Sequence, residues 1–232
     1  MKILFGFEES QACTIAARKQ GHEAYSCDLV DCSGGHPEWH YKGDIFEVLA
    51  MGVWDGAVLF PPCTDLARSG SKHFAGKRES GRQKASVELF LNAIAASQHI
   101  PRLAVENPVG IMGTEYITAH FPELLPLAHS LDFPRPPDQI IQPYWFGDPF
   151  TKETCLWLRG LRRLKPTNLV DKGDRHITKS GKSLPVWYNL PPGPDRARLR
   201  SKTFPGIANA IATQWFTDAD PIHQPPSLFN QP

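Results

Sequence analysis

Residues 2–28 read KILFGFEESQACTIAARKQGHEAYSCD, and this stretch decides the fold. Lys2 to Phe5 is a short apolar run typical of a buried strand. After a glycine turn, apolar residues between Ser10 and Lys19 are spaced to suit a helix that packs on a sheet, and Gly21 is well placed to end it. A second strand follows at Glu23 to Cys27. A strand, a helix and a strand in this order predict a βαβ unit of a parallel sheet.

The same alternation continues along the first half of the chain. Strands are expected at Gly56 to Phe60 and Arg102 to Glu106, with a long helix around Ala85 to Ser97 between them. In the second half, prolines interrupt the pattern before a strand at Thr154 to Leu158 and a helix from Gly206 to Phe216. The four strand candidates of the first half, with their crossover helices, indicate an α/β fold with a mostly parallel, doubly wound sheet.

Length and composition limit the classes of protein that this chain can represent. Its 232 residues lie within the range of one large domain or two small ones, so one core with one active site is the simplest expectation. No apolar run approaches the roughly 20 residues that a membrane span needs, and we expect no membrane association. The N-terminus enters a strand-like run without the apolar region of a signal peptide, which favours a cytoplasmic protein.

Charge and cysteine content leave the partner open. Twenty-five basic and 24 acidic residues give a net charge of +1, so nucleic-acid binding depends on where the charges lie. Five cysteines, an odd number in a chain that can bury a core, argue against a disulfide framework and leave thiols free for chemistry. Cys27, Cys32, His36 and His40 have spacings compatible with zinc. A core-facing strand cysteine and a loop near the ligand explain this group better, and we predict no metal.

Residues that follow the strands are the first candidates for chemistry, because ligands of open α/β sheets bind at the carboxyl ends of the strands. Phe7, Glu9 and Ser10 follow the first strand and lead into a helix N-terminus. Asp28 follows the second strand, where an acidic residue is the usual partner of ribose hydroxyls. A helix cap or a loop aspartate explains Asp28 equally well when it is considered alone.

A thiol and a carboxylate follow the next two strands. Two prolines precede Cys63 directly after the apolar run that ends at Phe60, and they stiffen the backbone that presents the thiol. A structural cysteine is the commoner interpretation, but such residues usually lie within strands or on helix faces. Glu106 ends the following strand and could supply a proton or a hydrogen bond to a ring attacked by Cys63.

With these residues in view, the chain resembles the DNA (cytosine-5)-methyltransferases, and more closely the small cytosine-methylase-like proteins of bacteriophages. Pro61-Pro62-Cys63 resembles the Pro-Cys nucleophile motif of the family, and Glu106-Asn107-Pro108 resembles its Glu-Asn-Val motif. The resemblance covers most of the chain, and further motifs occur in the family's order. These are Phe7 to Ser10 for the cofactor loop, Asp28 for the ribose ligand, Gly43-Asp44-Ile45 for the adenine contact, and Phe204 to Trp215 for the last motif, with Asn209 in place of its Gly-Asn.

The resemblance implies a Rossmann-like, S-adenosylmethionine-dependent methyltransferase fold with a short, irregular C-terminal insertion. It implies a single catalytic domain over residues 1–217, a reduced recognition region at about 159–200, and a C-terminal tail at 218–232. The residues expected to bind S-adenosylmethionine are Phe7, Glu9, Ser10, Asp28, Asp44, Ile45, Pro62 and Asn209.

The mechanism implied by the resemblance is methylation of C5 of a cytosine in DNA. The Cys63 thiolate adds to C6 of a base flipped out of the duplex, while Glu106 holds the base edge near N3. The site is therefore expected to favour the thiolate. Lys152 replaces one arginine of the family's Gln-x-Arg-x-Arg motif as a catalytic residue, and Thr154 stands where the other arginine is expected.

A basic segment follows the nucleophile and is predicted to contact DNA. Its glycines and serines predict a flexible loop that closes over a phosphate backbone, although a solvated, disordered loop has the same composition. Only Glu79 opposes its positive charges. The predicted nucleic-acid-binding residues are Arg68, Lys72, Lys77, Arg78, Arg82 and Lys84. Two further basic groups are Arg159, Arg162, Arg163 and Lys165, and Arg196, Arg198, Arg200 and Lys202.

Departures from the family pattern leave other functions open. The cofactor loop lacks glycines and carries two glutamates, and the recognition region is short for demanding sequence specificity. The first alternative is C5 modification of a free pyrimidine nucleotide, or transfer of a group other than methyl. The second is a nucleic-acid-binding module on the same fold that lacks catalysis.

Overall fold

Seven strands form one sheet in the part of the chain that the computed structural model describes, which is residues 1–113, 115–186 and 200–217. The sheet order is β3-β2-β1-β4-β5-β7-β6, in which β1 to β5 are parallel and β7 runs antiparallel to both of its neighbours. The strands are β1 Lys2–Gly6, β2 Glu23–Asp28, β3 His40–Lys42, β4 Gly56–Leu59, β5 Arg102–Pro108, β6 Gln139–Ile141 and β7 Thr154–Arg159. A separate hairpin pairs β8 Arg175–Ile177 with β9 Ser183–Pro185.

Helices cover both faces of the sheet. They are α1 Ala12–Lys19, α2 Ile45–Leu49, α3 Phe74–Glu79, α4 Arg82–Ala96, α5 Tyr116–His120, α6 Leu125–Ser130 and α7 Pro205–Gln214. Short 3-10 turns lie at Pro37–Trp39, Arg68–His73, Pro122–Leu124 and Pro143–Trp145. The strand order 3-2-1-4-5 reverses direction between β1 and β4, which makes this an α/β sheet of the Rossmann type.

The two faces of the sheet carry two separate cores, as the two-residue period of a strand requires. Leu4 of β1 packs with the side chains of α2 and α4, while Ile3 and Phe5 point the other way into the core shared with α1 and α7. On this second face, Phe216 closes so tightly on Gly56 that a Cβ atom there would lie 2.5 Å from its ring. α7 therefore lies against strands that are distant in sequence.

The structure confirms the predicted fold class and adds elements that the sequence pattern did not indicate. The segment between β2 and α2 contains a 3-10 turn and the edge strand β3, and the predicted recognition region at about 159–200 contains the β8–β9 hairpin. The predicted tail at 218–232 and two residues of one basic group, Arg196 and Arg198, lie outside the described residues. No helix among the described residues has the length and apolarity to cross a membrane.

Candidate active site

Cys63 lies on a closed turn that is tied to the neighbouring strand. Its backbone oxygen accepts hydrogen bonds from the amides of Leu66 at 3.0 Å and Ala67 at 2.9 Å. Asn107, 1% exposed at the end of β5, donates from Nδ2 to the Pro61 oxygen at 2.8 Å. The thiol is therefore mounted between the ends of β4 and β5 with little backbone freedom, as the two prolines predicted.

A second connection holds the far side of the same turn. The amide of Arg68 donates to the Val109 oxygen at 2.9 Å, and the amide of Ile111 donates to the Leu66 oxygen at 3.1 Å. Gly110 lies between these two bonds, and a Cβ atom there would lie 2.2 Å from the Leu66 oxygen. The segment after β5 and the turn after Cys63 thus pack backbone against backbone.

Glu106 and Lys152 line one pocket on the α7 side of the sheet. Glu106 lies opposite Leu156 in the β5–β7 pairing, and Lys152 is placed before β7 by a hydrogen bond from its amide to Gln142 Oε1 at 2.9 Å. Phe60, Phe204 and Ile207 supply apolar walls of the same pocket. The structure therefore brings the predicted carboxylate and cation together, although β7 follows β5 by nearly 50 residues.

The electrostatics of the site differ from the sequence prediction. Burial raises the pKa of the Cys63 thiol, and Glu106 raises it further, whereas Lys152 and Arg200 lower it. Burial also raises the pKa of Glu106, against the opposing effect of Lys152. The expectation that the site favours the thiolate was wrong for the protein in this state, because burial outweighs the two cations. Both Cys63 and Glu106 are held toward their protonated forms.

The loop after β1 is shaped by Glu8, which the sequence analysis passed over in favour of Glu9. Glu8 is buried, and its carboxylate accepts hydrogen bonds from the amides of Cys13 at 2.6 Å and Thr14 at 3.2 Å, and from Thr14 Oγ1 at 2.7 Å. It thereby occupies the N-terminus of α1, where the N-cap residue Gln11 makes no side-chain cap. The sequence feature that could have indicated this role is a glutamate shortly before a helix whose N-cap residue offers no capping side chain.

Replacement of Glu8 by glutamine is expected to flatten the pH dependence of stability. Burial raises the pKa of Glu8 from 4.5 to about 7, against hydrogen bonds from Thr14 and Cys13 that lower it. Between these values the folded protein binds more protons at Glu8 than the unfolded chain does, so stability falls as pH rises. The free energy of unfolding that is lost through Glu8 as pH rises across this range is up to about 3 kcal/mol.

Urea unfolding at several pH values across this window measures the effect. Other buried carboxylates titrate in both proteins and cancel in the difference between wild type and Glu8→Gln. Glu47→Gln, which removes an exposed glutamate from α2, is the matched control and keeps the wild-type curve. If the free energy of unfolding depends on pH in the same way for Glu8→Gln and wild type, the raised pKa of Glu8 is refuted.

Acidic and apolar groups lie together at the ends of β1 and β2. Burial raises the pKa of Asp28, and the neighbouring Glu9 carboxylate adds to the rise. Glu9 Oε1 is buried and has no hydrogen-bond partner among the described residues. Leu29 and Val30, which follow Asp28, are 74% and 54% exposed. Carboxylates beside exposed apolar side chains provide hydrogen-bond acceptors and a surface for a flat ring.

The other residues predicted to bind a cofactor occupy varied positions. Asp44 is the exposed N-cap of α2 and accepts from the Phe46 amide at 2.9 Å, while Ile45 is buried beneath it. Phe7 has a left-handed backbone, with φ of 61°, in the loop that Glu8 anchors. Asn209 is exposed on α7, on the side away from the buried Ile207 and Ile211.

Ser10 is half-buried in the loop before α1, and Pro62 is exposed beside Cys63. No described contact links Asn209 to the loop after β1. The cofactor roles of these residues stay predictions.

The residues weighed as zinc ligands have other contacts. Cys27 is buried in β2, with its Sγ 3.7 Å from the Gly43 oxygen. His40 contacts Ser26 Oγ through Nδ1 and the Val30 oxygen through Nε2, both at 2.8 Å, and His36 stacks on Trp39 at 3.9 Å. Across the described ranges, no cluster of histidine, cysteine, aspartate and glutamate is arranged to hold a metal ion.

The basic segment is folded rather than loose, so the prediction of a flexible loop was wrong. It forms the 3-10 turn Arg68–His73 followed by α3. Asp65, which is nearly buried, pairs with both Lys77 and Arg82 at 3.1 Å, and these ion pairs hold the segment against the turn that carries Cys63. The segment is folded because one carboxylate, Asp65, lies two residues after Cys63 and pairs with two of its cations. The sequence alone does not show which cations pair with Asp65.

The predicted nucleic-acid-binding residues consequently divide into two groups. Lys77 and Arg82 are paired with Asp65, Arg78 donates to Tyr116 Oη, and Lys84 pairs with Glu88 and Glu123. Arg68 and Lys72 form no ion pair within the described ranges, and both are exposed. Arg68 and Lys72 lie in the 3-10 turn that follows Cys63, and Arg78 keeps its charge beside a neutral hydroxyl, so the unpaired positive charge is smaller than the composition indicated.

Comparison with known proteins gives little further information. No protein-family model matches the chain, and no curated protein matches it. Among solved structures, a crystal structure of a triple mutant of DNMT2 from Spodoptera frugiperda is similar over 77% of this chain, with 14% sequence identity and a TM-score of 0.38. The similar region spans 58% of that protein. A similarity of this size assigns no family, so function rests on the site itself.

Proposed function

We propose that the protein is an S-adenosylmethionine-dependent methyltransferase that modifies C5 of cytosine in DNA. The observation that carries the proposal is the pocket that Glu106 of β5 shares with Lys152 before β7, together with the turn that presents Cys63 after β4 and is tied to the end of β5. A rigidly mounted thiol beside a carboxylic acid and a cation suits covalent attack on a ring that must be protonated as it is attacked.

The residues at the ends of β1 and β2 fit this cofactor better than a dinucleotide. Asp28 and the unpartnered Glu9 Oε1 offer acceptors for ribose hydroxyls and an amino group, and Leu29 and Val30 offer apolar surface for an adenine. The helix N-terminus that binds a pyrophosphate in dinucleotide enzymes is already filled by the Glu8 carboxylate. S-adenosylmethionine has no phosphate, and when bound it supplies an electrophilic methyl group.

Glu106 is held toward the protonation state that the attack needs, whereas Cys63 must first lose its proton. A protonated Glu106 donates a hydrogen bond to N3 of the cytosine, and in that form it no longer opposes ionisation of Cys63. Cys63 releases its proton to solvent, and the thiolate then forms a bond to C6 and makes C5 nucleophilic. After C5 is methylated, the C5 proton passes to water and the C6–S bond breaks with its electron pair returning to Cys63, which restores the double bond between C5 and C6. Lys152 offsets negative charge on both acids during these steps.

Nucleoside mass spectrometry tests the proposed reaction. DNA from cells that express the protein is digested and compared with DNA from cells that express Cys63→Ala. A gain on deoxycytidine equal to one methylene group, absent in the variant, is the expected result. A Cys63-dependent gain of a different mass would show that a group other than methyl is transferred. If deoxycytidine from DNA gains no mass, the proposal of a DNA methyltransferase is contradicted.

A second candidate is C5 modification of a free pyrimidine nucleotide. The observation that favours it is the internal pairing of Lys77, Arg82 and Lys84, which removes charge that a duplex would need. The same cells supply the test, because the nucleotide pool can be analysed beside the DNA. A Cys63-dependent modification confined to mononucleotides would select this candidate.

The salt dependence of DNA binding distinguishes the free cations from the paired ones. Lys72→Ala is expected to lower the slope of log affinity against log salt by about 0.9, because one phosphate contact is lost. Lys84→Ala is the matched control on the same segment, and it changes the slope less because Glu88 and Glu123 already offset Lys84. Fluorescence anisotropy with a short duplex measures both. Equal slopes for the two variants would refute the division of the segment's cations into free and paired groups.

A further inference from the structure

Lys77 reaches back from α3 to the residue that follows Cys63. Its Nζ donates a hydrogen bond to the Thr64 backbone oxygen at 2.5 Å and lies 3.1 Å from Asp65 Oδ1. The Lys77 and Asp65 side chains are each only 12% exposed. A Cβ atom on Gly70 would lie 3.3 Å from the same Nζ, so the 3-10 turn also packs against the ammonium group. Lys77 is therefore enclosed by the segment that follows the thiol.

The backbone around Cys63 is held by one side chain on each side of the thiol. Asn107 Nδ2, at the end of β5, donates to the Pro61 oxygen at 2.8 Å, two residues before Cys63. Lys77 Nζ donates to the Thr64 oxygen, one residue after Cys63. A hydrogen bond from a charged donor is stronger than a neutral one, and its loss leaves a shielded oxygen without a partner. The Lys77 bond thus restrains the side of the turn that Asn107 does not reach.

Arg82 provides a comparison within the same cluster. It pairs with the same Asp65 oxygen at the same distance of 3.1 Å, but its side chain is 61% exposed. Among the described contacts, it makes no hydrogen bond to Thr64. An exposed ion pair contributes little to stability. Lys77 and Arg82 therefore differ in burial and in the bond to the backbone beside Cys63.

We infer that Lys77 is a positioning residue, whose ammonium group fixes the peptide that follows Cys63 and thereby the direction of the thiol. The inference rests on the proposed function for its catalytic consequence, but the contact itself does not depend on that function. Because the ammonium group is already bound to Thr64 and Asp65, its charge does not serve a phosphate backbone. Sequence analysis assigned Lys77 to nucleic-acid binding, since a lysine in a basic segment gives no indication of its partner.

Hydrogen exchange measured by mass spectrometry on the full chain tests the contact without cofactor or nucleic acid. The neutral variants Lys77→Met and Lys77→Gln are expected to speed exchange of the Leu66 and Ala67 amides, which bond to the Cys63 oxygen, by about tenfold. Peptides from α1 keep the wild-type rate. Lys77→Arg keeps the charge and the donors, and it is expected to restore slow exchange. Arg82→Gln is the matched control, and it leaves exchange within about twofold of wild type.

Steady-state methyl transfer separates positioning from nucleic-acid binding. The neutral Lys77 variants are expected to lower kcat by about tenfold and to leave the KM for DNA within about twofold, because a displaced thiol slows the attack. A lysine that contacts phosphate would instead raise KM and contribute to the salt dependence of binding. Lys77→Arg is expected to recover most of kcat. Lys2→Met, which removes an ion-paired lysine at the start of β1, leaves both constants unchanged.

Thermal melts identify the folded variants, and one folded neutral variant of Lys77 suffices. Unchanged exchange in that variant would overturn the inference, as would an equal rise in Arg82→Gln or an effect confined to KM. Faster exchange without any methyl transfer would keep the contact of Lys77 with the turn and remove the proposed function. Methyl transfer with unchanged exchange would keep the proposed function and remove the role of Lys77.

Discussion

Cys63→Ser is expected to abolish methyl transfer while cofactor binding is retained. Serine keeps the size and the turn, but its hydroxyl is a far weaker nucleophile than a thiol, so turnover falls by at least roughly 10³-fold. Cofactor binding is expected to persist because the exchange of one sulfur for one oxygen leaves Asp28, Glu9 and their apolar neighbours at the ends of β1 and β2 in place. Methyl transfer to DNA and calorimetric binding of the cofactor measure the two properties separately.

Cys32→Ser is the control for this prediction. Cys32 is also a partly exposed free thiol, but it lies in the loop between β2 and β3. Its replacement is expected to leave turnover within about twofold of wild type, as for a surface substitution away from the site. Normal turnover by Cys63→Ser would remove the covalent mechanism.

Gly110→Ala is expected to destabilise the fold strongly. The added Cβ would lie 2.2 Å from the Leu66 oxygen, 2.9 Å from its carbonyl carbon and 3.2 Å from Ala67 Cα. These are all backbone atoms, so no side-chain rotation relieves the clash, and the two paired segments must separate. We expect a loss of about 3 kcal/mol. Activity is also expected to fall, because the displaced turn begins at Cys63.

Gly76→Ala is the matched substitution in α3. A Cβ at Gly76 meets nothing within 4 Å, and the helix gains from the reduced freedom of the unfolded chain. Stability is expected to rise by about 0.5–1 kcal/mol. Chemical unfolding of both variants, with transfer assays beside it, measures the pair. A loss below about 1 kcal/mol for Gly110→Ala, within the range of ordinary substitutions, would contradict the close packing.

Much of the fold could be predicted from the sequence, because the central strands are buried on both faces. Continuous apolar runs at Lys2–Gly6 and Gly56–Leu59 leave few alternatives to parallel strands with helices between them. Strand β3 could not be predicted in the same way. It has three residues, none fully buried, and it is held by pairing with β2 rather than by its own hydrophobicity. The β8–β9 hairpin could not be predicted for the same reason, since each of its strands has three residues and none of them is fully buried.

The candidate site shows a similar division. Cys63 and Glu106 could be placed from the sequence because each lies at or shortly after the carboxyl end of a strand, and these ends meet at one edge of a parallel sheet. Glu8 and Asp65 could not be assigned, since their roles depend on partners fixed by tertiary packing. A basic composition indicates charge, but Asp65 shows that it does not indicate which charges remain available to a ligand.

The position of α7 has a consequence for how the protein is made. Ile3 and Phe5 are translated about 200 residues before the side chains that cover them, which include Ile211, Trp215 and Phe216. That face of the sheet stays open to water, and to chaperones, until nearly all of the described chain has been translated. Folding of this core is therefore completed only once α7 and Phe216 have left the ribosome, and a ribosome that stalls before α7 releases a chain prone to aggregation.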